Sequence, residues 1–177
     1  NNDYVAKALK KYPERLEQFA DVDSMWSDTY HVPGAASRLE KAMERWPMKA
    51  FTHYVAAEDD GSWFNSTDGI DFFKVAEQAG LIASIAMSPH HQPELRKVAE
   101  RHPDLDILCH HMSGLRAHGN DARANLKVVT ESSELPNIFL KLSGFHYLTN
   151  TEWNFPYSDT HWVYKACYEA FGTNMCW

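Results

Sequence analysis

Two hydrophobic periods alternate along this 177-residue chain, and that alternation limits its fold more than any other feature. Val5, Ala8, Leu9 and Tyr12 carry helical spacing within Tyr4–Tyr12, which stops at Pro13, and Phe19–Asp23 reads as a short strand. Leu39, Ala42, Met43 and Trp46 share one helical face within Ala35–Trp46, which Pro47 ends. Met48–Val55 is the next strand, and Asp59–Asp68 a polar loop. Ile70–Ala79 is a helix closed by Gly80, and Leu81–Met87 is an apolar run fit for a strand covered on both faces. Pro93–His102, Asp121–Leu135 and Asp159–Phe171 read as helices, with strands at Asp106–His111, Asn137–Leu142 and Thr173–Trp177. Strand–helix alternation of this kind implies right-handed crossovers and a parallel sheet, so the class is α/β.

Composition removes several functions. Seventeen basic against 24 acidic residues give a net charge of −7, which disfavours a phosphate-binding surface, so no nucleic acid is expected as a partner. No apolar stretch is long enough to cross a bilayer, and no targeting segment is visible. Cys109, Cys167 and Cys176 are odd in number and widely spaced, which predicts free thiols and a reducing, cytoplasmic setting. Cys109 is read as an inert core thiol. Trp177 is an unusual place for a natural terminus, so the chain is expected to be a piece of a longer polypeptide, truncated at both ends.

Ten histidines point to acid–base or metal chemistry, and the polar residues gather where strands end. His53, Ser88, His90, His91, His110 and His111 follow strands, and Lys141, Ser143 and His146 close another. No G-x-G-x-x-G or G-x-x-x-x-G-K follows any strand, so the nucleotide-binding open sheet loses support against the closed (β/α)₈ barrel. In that barrel the chemistry lies at the carboxyl ends of the strands. Strand alternation predicts that His110 points away from His111, toward the helices, in a structural role. The same alternation turns Lys141 inward, as a substrate contact or a member of a buried ion pair. His53 is a candidate substrate contact or a polar rim residue. His90 and His91 are expected on the surface, with metal ligation as the alternative; His31, His102, His118 and His161 are expected to be solvated. Trp63, Phe64, Trp153, Phe155 and Tyr157 are loop aromatics that could wall a substrate pocket or cap the rim.

The stretches Asp106-Ile-Leu-Cys-His-His-Met-Ser-Gly114, Asn137-Ile-Phe-Leu-Lys-Leu-Ser-Gly144 and Phe171-Gly-Thr-Asn-Met-Cys-Trp177 resemble successive signatures of the amidohydrolase-related (amidohydrolase family 2) metal-dependent hydrolases. Asn2–Leu9 with Tyr12-Pro-Glu-Arg-Leu, and Gly80–Pro89 with Gln92-Pro-Glu-Leu, are similar to earlier segments of the same family. The resemblance implies a TIM barrel represented by roughly strands three to eight, a single partial domain over residues 1–177. It implies a hydrolase of a lactone, ester or amide acting through a metal- or Asp-activated water. A nonoxidative decarboxylase and a non-catalytic homologue are the alternatives. His111 matches the family's sixth-strand histidine and is the candidate catalytic residue; His53, Lys141 and Ser143 are the candidate substrate-binding residues. The implied cofactor is a divalent metal, zinc first, whose ligands lie largely outside the fragment. Ala86 stands where the family often has a strand-five histidine, which leaves the metal complement open. A small-molecule substrate and a homo-oligomer are the expected partners, with no membrane, and the 177 residues alone are expected to be inactive.

Overall fold

The computed structural model describes residues 1–151, 153 and 155–176. After helix α1 (Asn2–Lys11), strands and helices alternate: β1 (Gln18–Asp21), α2 (Ala35–Arg45), β2 (Met48–Tyr54), α3 (Thr67–Gln78), β3 (Ile82–Ala86), α4 (Gln92–Arg101), β4 (Ile107–Cys109), α5 (Ala122–Thr130) and β5 (Ile138–Lys141). Short α6 (Phe145–Leu148), α7 (His161–Phe171) and β6 (Met175–Cys176) complete the described order. The strands form one sheet in chain order, each parallel to the next. Each expected strand and long helix is present, with some ends shorter. Strand β4 stops at Cys109 rather than running to His111, and α5 gives way at Thr130 to a 3₁₀ turn over Glu131–Glu134. Trp177, the last residue of the expected final strand, lies outside the described residues.

Local chemistry sets several boundaries. Ser66 caps α3 by accepting from the Gly69 amide at 3.1 Å, while Trp46 turns extended ahead of Pro47 and ends α2. Pro93 sits in the first turn of α4, where its missing N–H costs no helical bond.

The register divides the sheet into two faces. Ala83, Ile107 and Ile138 align with Phe51, and Ile85, Cys109 and Leu140 with His53. This face is buried against the helices: Phe51 meets Phe72 of α3 edge-on, with ring centroids 4.9 Å apart. The alternate residues Thr52, Ser84, Leu108 and Phe139 align on the opposite face, with Tyr54 and Ala86 one layer nearer the carboxyl ends. That inward face carries Thr52, Ser84 and Tyr54.

At the amino ends of the strands, buried Asn137 ties α4 to the sheet. Its amide nitrogen shares its two N–H groups among the carbonyls of Ala99, His102 and Leu105, at 3.1, 3.0 and 3.1 Å. Asn137→Ala leaves the Ala99 and Leu105 carbonyls without this donor, while the His102 carbonyl keeps its bond from the Leu105 N–H, and we expect it to lower unfolding stability by about 2 kcal/mol, read from urea titration.

Candidate functional site

At the carboxyl ends of β2, β3 and β4 lies a cavity of about 320 Å³ whose lining includes Tyr54, Ala86, His110, His111, Arg116 and Tyr147. Alternation explains the first three. Tyr54 and Ala86 are register partners on the inward face, and His110 continues that face one step past Cys109.

His110 corrects the sequence expectation. Its ring faces inward, with Nε2 bonded to the Ser84 hydroxyl and the ring edge-on to Tyr54 at 5.8 Å. Two histidines adjacent in sequence reach one rim because alternation ends where the strand ends. His111, Met112 and Ser113 take φ values of 45, 55 and 52°, and Gly114 follows at 66°. Four successive left-handed residues swing His111 back over the cavity. Gly114 suits the last place: a Cβ there would stand 3.2 Å from the Met87 carbonyl oxygen.

His111 Nδ1 lies 3.0 Å from the Ser143 hydroxyl, and its ring meets Tyr147 edge-on at 5.7 Å. Gly144 permits this approach, since a Cβ at that residue would sit 3.3 Å from His111 Nδ1 and 2.7 Å from Tyr147 Cδ2. Burial, the Lys141 ammonium and His146 hold the His111 imidazole below the ordinary histidine range. Burial, then Lys141 and His111, bring His110 down to about 4. Both rings are therefore neutral near pH 7, able to take or give a proton without carrying charge beforehand. Lys141 occupies the inward parity opposite to buried Ile138 and Leu140, and no carboxylate pairs with it among the described residues. The expected buried ion pair is absent from that set, leaving its cationic influence on the two histidines. Arg116 donates to the Tyr147 carbonyl from the outer wall.

His53 is also placed differently from expectation. It shares Phe51's parity and is fully buried on the helix side, outside the cavity lining. Its Nδ1 donates to the Val22 carbonyl at 3.2 Å, so Nε2 must accept, and it faces His31 Nε2 at 3.3 Å. Burial pushes His53 down to about 4. His31 stacks on Trp63 with centroids 4.3 Å apart, and its Nδ1 lies 3.1 Å from the Asp59 carboxylate, which also accepts from the Tyr30 hydroxyl. Burial nonetheless outweighs Asp59 and lowers the His31 pKa.

His31 is thus packed rather than solvated. So is His102, 4% exposed and 2.9 Å from the Glu77 carboxylate. His91, expected at the surface, is buried: Nε2 lies on the Asp59 carbonyl and Nδ1 accepts from the Ser88 amide. His90 is exposed beside it. Trp63 and Phe64 pack into the core against α3 instead of walling the cavity, whereas Trp153 and Phe155 are exposed. Cys109 is an inert core thiol as expected, its pKa raised by burial to about 11.

Tyr54, Arg116 and Tyr147 were missed by the sequence reading. Tyr54 had a usable signal, two residues beyond inward-facing Thr52. Arg116 and Tyr147 had none, because a loop brings Arg116 to the rim and the short helix α6 brings Tyr147.

An in-order parallel sheet with its polar cavity at the carboxyl ends defines a partial α/β barrel. The amidohydrolase family model matches residues 1–177, and the chain belongs to that family. No curated protein matches the sequence. Among solved structures, an amidohydrolase from Burkholderia multivorans crystallised with bound zinc is 19% identical, with a TM-score of 0.74 over 99% of this chain and 63% of that one. A 2-pyrone-4,6-dicarboxylic acid hydrolase, so described provisionally, from Pseudomonas putida is 15% identical, with a TM-score of 0.73 over 100% of this chain and 61% of that one. The 5-carboxyvanillate decarboxylase of Sphingomonas paucimobilis is 14% identical, with a TM-score of 0.59 over 99% and 59%. The chain thus spans about three-fifths of the length of the structures it matches.

The residues do not by themselves fit a metal ion. Among the described residues no three His, Cys, Asp or Glu side chains converge as ligands. At the cavity two imidazoles are each tied to a serine, and Ala86 presents only a methyl group. Among the described residues no helix is long and apolar enough to cross a membrane.

Proposed function

We propose that the protein acts as a hydrolase of a small carbonyl compound, with a lactone or ester bearing anionic groups the best-matched substrate class. The observation that carries this reading is the rim cavity where neutral His111, held by Ser143, stands under the field of Lys141 and beside Arg116. Family membership and the structural likeness to hydrolases support it.

In this reading water adds to the carbonyl carbon, the tetrahedral intermediate collapses, and the ring or ester C–O bond breaks. With Nδ1 occupied by Ser143, Nε2 of His111 is the nitrogen left to hydrogen-bond the carbonyl oxygen and pass a proton to the departing oxygen. Lys141 and Arg116 supply positive potential to the developing oxyanion or to a substrate carboxylate. His110, fixed by Ser84, offers a second neutral imidazole to the same space. Among the described residues lining the cavity none is a carboxylate, so within that lining the neutral His110 imidazole is the group able to take the water's proton. The divalent ion expected of the family, zinc first, belongs in this proposal to the whole barrel, and no step here runs through it.

The test uses the full-length protein with 2-pyrone-4,6-dicarboxylate and with 5-carboxyvanillate, together with elemental metal analysis. Ring opening with release of acid and no carbon dioxide supports the hydrolase. Carbon dioxide release identifies the decarboxylase instead, and turnover of neither compound nor of simple esters leaves a binding protein.

A further inference from the structure

Gln92, the first residue of α4, is fully buried and has no place in the chemistry above. Its amide is satisfied from both sides. Nε2 donates to the Ser113 hydroxyl at 2.8 Å and approaches Cys109 Sγ at 3.8 Å, while Oε1 accepts from the Ser132 hydroxyl at 2.6 Å. Arg96 donates in turn to the Ser132 oxygen at 3.1 Å. This chain of bonds fixes which way the amide points, with its N–H end toward Ser113.

Ser113 is the third residue of the left-handed turn that presents His111. Each non-glycine residue in that conformation costs about 1 kcal/mol or more, so three in succession persist only if the surroundings hold them. The turn's internal bond from the Ser113 amide to the His110 carbonyl, at 2.7 Å, does not choose where the turn sits against the sheet. Gln92 does, because it is the helix-layer side chain bonded to the turn among the described residues. On the other side, Ser143 holds His111 directly.

We propose that Gln92 is a positioning residue for His111, acting through Ser113. The functional weight of this inference rests on the reading that His111 contacts substrate; the geometric part stands without it. Gln92→Met keeps nearly the same volume and removes the hydrogen bonds, and Ser113→Ala removes one oxygen atom. In the full-length protein the His111 ring signal is assigned by its loss in His111→Asn. Its titration midpoint, set by burial, Lys141 and His146, is then followed by NMR. In both variants it should move up toward the ordinary value of about 6.5 as the ring loses its fixed place. Turnover of 4-nitrophenyl acetate should fall about tenfold with little change in KM, as expected when a catalytic group is displaced. The double variant should be no worse than either single one. Asn137→Ala is the control, since it loosens the opposite end of the strands and should leave the His111 signal in place.

An unmoved His111 signal in Gln92→Met and Ser113→Ala overturns the proposal, as do additive effects in the double variant. If Gln92→Met does not fold, Ser113→Ala decides alone. If the wild-type protein has no esterase activity, the hydrolase reading is what fails, and the NMR comparison still decides the role of Gln92.

Discussion

Replacing His111 with Asn should lower turnover about a hundredfold or more while leaving the fold intact, the usual effect of removing a positioned acid–base group. Asn can still bond Ser143, and it can satisfy much of the hydrogen bonding at 3.0 Å that Nδ1 makes now. It also tolerates positive φ better than most residues, so the left-handed turn survives. What it cannot do is take or give a proton near neutral pH. Far-ultraviolet circular dichroism and urea midpoints of the full-length variant should match the wild type, while kcat falls and KM changes little. Full retention of turnover would move the proton-transfer role to His110, whose ring shares the cavity.

The second large effect is on acid stability. His53 and His110 are both held near 4 by burial, against about 6.5 in an unfolded chain. Their folded forms are neutral, so stability is fully present above about pH 6.5. As pH falls, the unfolded chain binds protons that the folded one refuses, and stability is lost until about pH 4, where the folded rings also titrate. Each histidine accounts for up to about 3 kcal/mol over that window, and the pair for an amount comparable with the whole stability of a modest domain. Urea unfolding at pH 7 and pH 5 should therefore show a steep decline. His53→Gln, which can still donate to the Val22 carbonyl, should remove about one proton from the slope. An unchanged slope would assign the acid sensitivity to groups other than His53. Because His53 lies outside the cavity, this variant separates stability from chemistry.

Much of the fold was legible because periodicity reports burial. The runs that became β3 and β5 are apolar on the face packed against helices, and the prolines and caps marked helix ends. The gathering of polar residues after strands also pointed to the rim where the candidate cavity lies. Individual orientations were harder to read, since alternation holds only while the strand continues. His110 was turned the wrong way because β4 stops at Cys109 and a left-handed turn follows, for which Met112 and Ser113 give no warning. His53 looks like a site residue in sequence and His31 like a solvated one, yet both stack against Trp63. Arg116 arrives through a loop and Tyr147 on the one-turn helix α6, whose placement no local pattern sets.

The register that puts Phe51, Ile107 and Ile138 on one face and Thr52, Leu108 and Phe139 on the other has a consequence for how such a protein diversifies. Residues that carry stability and residues that can carry selectivity interleave one by one along each strand. Substitutions at Tyr54 or Ala86, the inward-face strand residues that line the cavity, can therefore reshape it without disturbing the helix-facing layer. New cavity shapes are open to this scaffold by single steps that spare the helix-facing layer.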